Sequence, residues 1–193
     1  MFDFMSKDNK NAIDLLKADH TKVKELFEKF EEADDRKSKK TIVSKALKEL
    51  SVHATIEEEI FYPAVRKAIE DEDGMMNEAD EEHHVAKILI AELEEMKGNE
   101  NHYDAKFTVL AESVRHHIKE EENEMFPKAK GTDIDLDALG QKMLRRKKEL
   151  MSKGVPAPAE ALMVVKSKGN GDSPAKAARR TLSASKKGVK AEA

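Results

Sequence analysis

The sequence predicts an all-α protein, an up-down-up-down antiparallel four-helix bundle with an additional C-terminal helix and a disordered tail. Apolar residues recur at spacings of three and four along four long stretches, which is the period of an amphipathic helix. Short polar segments separate the stretches, and helices joined by short loops pack antiparallel. Charged residues make up 38% of the 193 residues and aromatic residues 5%. That composition suits a small helical domain with a narrow apolar core.

Each of the four predicted helices has one inward-facing stripe. The first, over residues 10–33, carries Ile13, Leu16, His20, Val23, Phe27 and Phe30. The second, over 38–70, carries Val43, Ala46, Leu50, His53, Glu57, Ile60 and Ala64. The third, over 75–97, carries Met76, Ala79, His83, Ala86, Ile90 and Leu93. The fourth, over 101–128, carries Phe107, Leu110, Val114, His117, Glu121 and Met125. Every stripe therefore places a histidine among apolar residues.

Two prolines bear on the helix boundaries. Pro63 lies inside the second helix and cannot donate to the Glu59 carbonyl, so we expect a kink there. Pro127 is expected to end the fourth helix. A fifth amphipathic stretch, residues 135–151, has one apolar face formed by Leu136, Leu139, Met143 and Leu150. We expect it to pack on the outside of the bundle or to close one end.

The charge is divided unevenly along the chain. Residues 153–193 contain nine Lys or Arg and three Asp or Glu, a net charge of +6, which leaves −10 on residues 1–152. The last segment is rich in Ala, Lys, Gly, Ser and Pro and cannot bury enough apolar surface to offset the entropy of ordering. We therefore divide the chain into a metal-binding bundle (1–133), an additional amphipathic helix (134–153) and a disordered basic tail (154–193).

Composition excludes several classes of protein. The chain has no cysteine, so disulfides and thiolate sites are excluded and a metal must be held by His and carboxylates. The start has no apolar leader, and no run of roughly 18 apolar residues exists to span a membrane. We therefore expect a cytoplasmic protein. The basic tail lacks aromatic residues for base stacking, so nucleic-acid binding is not expected, although the tail could contact an anionic partner.

A repeated motif suggests what the inward histidines do. Residues 53–63 and 117–127 both read H-x3-E-E-x4-P. His53 with Glu57, and His117 with Glu121, are four residues apart and so share a helix face. A buried carboxylate costs several kcal/mol unless something compensates it. A bound metal is the economical explanation for two such glutamates.

His20 and His83 complete the predicted site from the other two helices. Four imidazoles and two carboxylates exceed what one divalent ion needs but suit two ions bridged by the carboxylates. Such ligands favour iron, with manganese or zinc as alternatives. The spacings His20 to His83 and His53 to His117 are 63 and 64 residues, which indicates two similar halves related by a pseudo-two-fold axis.

Other candidate residues are assigned to the surface or to packing. His84 and His116 point away from the apolar stripes and His102 begins the fourth helix, so none is expected to bind the metal. An acidic run on a helix is usually a solvated face. We therefore expect a solvated position for Glu58, Glu59, Glu120, Glu122 and Glu124. The neighbouring aromatic residues, interpreted as packing groups that wall off the site, are Phe61, Tyr62 and Phe126.

These motifs resemble the hemerythrin-like proteins of the HHE cation-binding type. The matching segments are "ADH" at 18–20, "HATIEEEIFYP" at 53–63, "EEHHVAKILI" at 81–90 and "HHIKEEENEMFP" at 116–127. The resemblance covers residues 10–130. It implies a four-helix bundle around a non-haem di-iron centre bridged by two glutamates. Members of this family bind dioxygen, sense oxygen, nitric oxide or iron, or handle peroxide.

The chain departs from oxygen-carrying hemerythrins at two places. They have a fifth histidine one turn before the third-helix ligand, where this chain has Ala79, and either Asp80 or water could take its place. Their last carboxylate lies five residues after the last histidine, whereas Glu121 lies four after His117. We favour a protein that binds or senses a diatomic ligand, oxygen or nitric oxide. The alternatives are a di-iron enzyme acting on hydrogen peroxide or ferrous iron, and a metal-free or zinc-binding interaction module.

Overall fold

A computed structural model of the chain describes residues 11–69, 74–157 and 159–160. Its α-helices are α1 (Ala12–Glu32), α2 (Arg36–Ile56), α3 (Tyr62–Ala68), α4 (Met75–Glu94), α5 (Tyr103–Glu120), α6 (Phe126–Lys130) and α7 (Leu136–Lys153). Two π-helical turns, π1 (Glu57–Phe61) and π2 (Glu121–Met125), join α2 to α3 and α5 to α6. The predicted all-α four-helix bundle with an additional C-terminal helix is confirmed, and the described residues contain no strand.

The helix ends are set by capping residues that the sequence supplies. The side chains of Asn11, Asp35 and Asp135 each accept a hydrogen bond from the backbone N–H three residues on. These bonds satisfy donors that the first turn of a helix leaves without a partner. Gly74 precedes α4 with φ 76°, a left-handed conformation that glycine adopts without steric cost. Gly154 ends α7 with φ 90°.

The two π-helical turns explain how the chain accommodates its prolines. In π1 the N–H of Tyr62 bonds the carbonyl of Glu57, five residues back instead of four. Pro63 follows directly, so a residue without an N–H comes where the regular α-helical bonding has already been broken. The second turn repeats this arrangement before Pro127. The prediction that Pro127 ends the helix is wrong, because α6 continues to Lys130.

The apolar core has two parts, one at each end of the bundle. One part contains Phe61, Phe126 and the α7 residues Met143 and Leu150. The other part is built around Phe27 and Phe107, which pack edge to face. Along each of the four long helices, the histidine of the apolar stripe lies between these two parts of the core. The helix α7 lies outside the bundle against α1 and α2, as one of the two expected arrangements requires.

Part of the predicted tail is described. Glu160 is buried against α4, where its carboxylate lies 3.0 Å from His84 Nδ1 and 3.4 Å from Lys87 Nζ. Residues 161–193, on which the prediction of disorder chiefly falls, lie outside the described residues. No helix among the described residues is both long and apolar enough to cross a membrane.

Candidate metal centre

The six residues predicted to bind metal lie together in the layer between the two parts of the core. None of them is more than 6% exposed. They are His20 on α1, His53 on α2, Glu57 on π1, His83 on α4, His117 on α5 and Glu121 on π2. Each glutamate begins a π-helical turn, so the backbone irregularity of both long helices begins at the site itself. π-helical turns of this kind are frequently found at functional sites.

Four of these side chains form the first candidate metal position. His20 Nε2 lies 3.2 Å from Glu121 Oε2, and His53 Nε2 lies 3.1 Å from Glu57 Oε2. One ligand atom from each of the four residues falls within 4.8 Å of the others. Two imidazoles and two carboxylates could therefore reach one ion here.

The second candidate position lies beside the first. Glu57, His83 and His117 offer ligand atoms within 4.8 Å of one another. His83 Nε2 is 3.5 Å from Glu57 Oε2, and His117 Nε2 is 3.6 Å from Glu121 Oε2. Both glutamates thus reach histidines of both positions. The two candidate positions are therefore adjacent and share Glu57, while Glu121 contacts a histidine of each.

A carboxylate lies behind every one of the four histidines. The Nδ1-to-carboxylate pairs are His20 with Glu122 at 2.8 Å, His53 with Asp19 at 3.6 Å, His83 with Glu58 at 3.0 Å and His117 with Glu82 at 2.7 Å. A carboxylate at Nδ1 favours the tautomer with the proton there, which directs the Nε2 lone pair to the centre. The assignment of Glu58 and Glu122 to a solvated face is therefore wrong.

The supporting carboxylates follow the pseudo-two-fold relation between the halves. Asp19 on α1 and Glu82 on α4 each precede a predicted ligand histidine and support the other ligand histidine of their own half. Glu58 and Glu122 each follow a bridging glutamate and cross to a histidine of the other half. In the sequence, each supporting carboxylate stands directly beside a predicted ligand, and this position could have identified it.

Tyr62 breaks this symmetry at the second position. Its hydroxyl donates to Glu121 Oε1 at 3.0 Å and lies 3.2 Å from His83 Nε2 and 3.3 Å from His117 Nε2. The interpretation of Tyr62 as a packing residue missed this polar contact. Asp80 is not part of the cluster, since its exposed carboxylate pairs with Arg66 at 2.5 Å. The polar group beside the second position is therefore the Tyr62 hydroxyl and not the Asp80 carboxylate.

Burial and the close approach of the side chains shift the pKa values of the cluster. Burial raises the pKa of Glu57 well above its usual range, and the neighbouring Glu121 raises it further. Burial alone would also raise the pKa of Glu121, but His117 and His20 hold it below its usual range. Burial lowers the pKa of His53 to about 4, so this imidazole is neutral and its lone pair is available at neutral pH.

Unsatisfied polar atoms concentrate at the same place. Among the described residues, the buried side-chain N and O atoms without a hydrogen-bond partner are all in the cluster or directly behind it. They belong to Asp19, His20, His53, Glu57 and Glu121. Buried polar groups are nearly always paired, so a group of this size needs a common partner. Cations bound at both positions would satisfy the inward-facing atoms, and the donor set of nitrogen and oxygen fits iron, manganese or zinc.

Comparisons with known proteins agree with this arrangement. A family model of the hemerythrin HHE cation-binding domain matches residues 11–129. The fold is similar to the crystal structure of a hemerythrin HHE cation binding domain-containing protein from Mycobacterium kansasii. That match has a TM-score of 0.62 and 26% sequence identity, and it covers 80% of this chain and 98% of that one.

Curated relatives differ in how much of their length is matched. An uncharacterized protein of Mycobacterium tuberculosis is 30% identical over 166 residues, covering 84% of this chain and 96% of the relative. A Nostoc DNA nickase is 28% identical over 120 residues, 62% of this chain but 34% of the nickase. An uncharacterized hemerythrin-like protein of Schizosaccharomyces pombe is 29% identical over 115 residues, 59% of this chain and 57% of that protein. The chain thus spans about a third and just over half of the last two.

The buried His and Glu cluster could bind metal, and the family model covers the four helices that supply it. This chain belongs to the hemerythrin HHE cation-binding domain family.

Proposed function

We propose that the chain is a non-haem di-iron protein that binds a small diatomic ligand, dioxygen or nitric oxide. The observation that carries the proposal is the pair of adjacent donor sets that share Glu57. In the first set, inward atoms of all four residues, His20, His53, Glu57 and Glu121, have no hydrogen-bond partner. Iron bound there would supply an open coordination position and the electrons that binding of either gas requires. The two positions differ in their histidine neighbours, since the Tyr62 hydroxyl lies within 3.3 Å of the Nε2 atoms of His83 and His117 at the second.

A small apolar cavity beside the cluster supports a ligand of this size. It has a volume of about 30 Å³, and its mostly apolar wall includes Val23, Leu50, Ile90 and Val114 as well as the four histidines. A space of that volume holds one or two molecules of the size of water. Apolar walls favour uncharged gases over ions. The four imidazoles add fixed polar groups to this wall.

Metal content and ligand binding test the proposal directly. The full chain, expressed with iron supplied, should contain about two irons, and addition of nitric oxide to the reduced protein should change its visible spectrum. His53→Ala should lower the iron content, whereas the matched variant His84→Ala should not, because His84 contacts Glu160 and lies outside the cluster. Equal and low metal content in all three proteins would refute the proposal.

One observation favours a second candidate, turnover of hydrogen peroxide. Burial and the nearby carboxylates Glu121 and Glu57 raise the pKa of Tyr62 well above its usual range, so the phenol keeps its proton. Two irons held by the cluster would supply the two electrons that cleave the O–O bond of one peroxide, and a second peroxide, oxidised to dioxygen, would return them. The phenol could donate its proton to the departing oxygen and regain one from the second peroxide. Oxygen release from peroxide by the iron-loaded protein, lost in Tyr62→Phe with iron content unchanged, would support this enzyme. Stable ligand binding without turnover would favour the binding protein.

A further inference from the structure

A second cavity opens between α4 and α5 and is strongly acidic. Its volume is about 110 Å³, and it lies where Ala79 leaves space on α4. Five glutamates line it, and its lining contains no Lys or Arg: Glu78, Glu82, Glu120, Glu121 and Glu124. Glu78 and Glu124 are exposed, Glu82 and Glu120 are half-buried and Glu121 is buried. The burial of the carboxylates thus increases from the surface to the candidate metal centre.

The charge of this cavity is unusual within the site. Three of the four carboxylates behind the histidines also pair with a lysine: Asp19 with Lys147, Glu58 with Lys87 and Glu122 with Lys24. The fourth, Glu82, forms its ion pairs among the described residues with His117 at 2.7 Å and His116 at 3.8 Å. Among the described residues, lysine therefore pairs with the supporting carboxylate on three approaches, whereas on this one the partners of Glu82 are histidines.

Two glutamates that line this cavity form a further set of ligand atoms with the neighbouring His116. Glu82, His116 and Glu120 each offer one atom, and these atoms lie within 4.8 Å of one another. His116 Nε2 is 3.0 Å from Glu120 Oε1, a second H-x3-E pair displaced by one residue from His117 and Glu121. This outer cluster is partly exposed, with His116 62% accessible.

A buried atom connects the outer cluster to the centre. Glu121 is 1% exposed, lines the acidic cavity and has an Oε2 atom without a hydrogen-bond partner. His117 lines the same cavity and bonds Glu82 through its other nitrogen. The buried lining of the cavity therefore includes two predicted ligands of the centre.

We propose that this cavity is the route by which a divalent cation loads the centre, with Glu82, His116 and Glu120 as a transient first binding site. Oxygen and imidazole donors suit ferrous iron, and a cleft lined by one sign of charge raises the local concentration of ions of the opposite sign. The inference rests on the proposed function, because it assumes a cation destination at Glu121 and His117. It adds residues that have no place in the two metal positions themselves.

The test compares loading rates of the metal-free full chain under anaerobic conditions. Co²⁺ uptake is followed by its visible absorption after rapid mixing, and Fe²⁺ uptake by quenching with a chelator. The double variant His116→Gln/Glu120→Gln removes the outer cluster but leaves Glu82 to support His117. The matched control His84→Gln/Glu112→Gln changes the same residue types outside this cavity.

We expect the His116→Gln/Glu120→Gln protein to load at least about 10-fold more slowly than the wild type and with a weaker dependence on salt. Its final metal content, and the control's loading rate, should equal those of the wild type. Equal loading rates in all three proteins, with full metal content, would overturn the route and leave the di-iron proposal standing. A wild type that binds no metal would instead overturn both.

Discussion

Replacing Glu122 by Gln should weaken one metal position and leave the other unchanged. Glu122 is 28% exposed, and its Oε1 accepts a hydrogen bond from His20 Nδ1 at 2.8 Å. His20 belongs to the first position, and the second position takes its imidazoles from His83 and His117. A neutral amide keeps the shape of the side chain but removes the charge that makes His20 a stronger donor.

The magnitude follows from how such supporting carboxylates act in metal sites. Their loss typically costs 10- to 100-fold in metal affinity. Because Gln retains an oxygen acceptor and Lys24 already neutralises part of the Glu122 charge, we expect the lower end, about 10-fold or about 1.4 kcal/mol. Only the ion at the first position should bind more weakly.

Competition against a fluorescent chelator of known affinity would measure this under anaerobic conditions with Fe²⁺. The mirror variant Glu58→Gln should weaken the second position instead, since Glu58 supports His83 at 3.0 Å. Glu25→Gln is the matched control, because Glu25 is exposed and pairs with Lys29 away from the site. If Glu122→Gln and Glu58→Gln both left the affinities of both ions unchanged, the supporting role assigned to these carboxylates would be wrong.

Three further predictions concern the fold, the phenol and the metal-free state. Leu150→Ala should lower the free energy of unfolding by about 2–5 kcal/mol in urea titrations, because it opens a cavity under α7, whereas Val109→Ala at a 53% exposed position should change it little. Tyr62→Phe should keep two irons but alter the visible spectrum; identical spectra would remove Tyr62 from the second position. In the metal-free protein, burial lowers the pKa of His53 from 6.5 to about 4. The unfolded chain therefore gains a proton first as the pH falls, so the free energy of unfolding should decrease by about 3 kcal/mol between pH 6.5 and about pH 4. His53→Gln should abolish that decrease.

The sequence predicted the six inward residues because helical periodicity reports which face of a helix is buried. A histidine or glutamate in an apolar stripe stands out, and His53 with Glu57 share a face as long as the helix is regular. The structure brings all six together. Periodicity does not report contacts between helices at the edge of the core, so Glu58 and Glu122 looked like surface residues although each bonds a histidine of the other half.

Regular helical periodicity does not apply where the helix changes its period. Each π-helical turn inserts one residue, so every position after it is rotated relative to the regular pattern. Tyr62 lies five residues after Glu57, a spacing that would point it away from the site in a regular α-helix. The inserted residue brings its hydroxyl to within 3.0 Å of Glu121. The second π-helical turn likewise allows the helix formed by α5, π2 and α6 to continue past Pro127.

The exchange of carboxylates between the halves has a consequence for the lifetime of the protein. Each half supplies both imidazoles for one ion but takes a supporting carboxylate for one of them, and one shared glutamate, from the other half. A bound ion therefore ties the two helix pairs together, and losing it and separating them are linked events. A ligand present at 100 times its dissociation constant stabilises a fold by about 2.7 kcal/mol for each site. The persistence of the folded chain in a cell would then rise and fall with the supply of the metal that it binds.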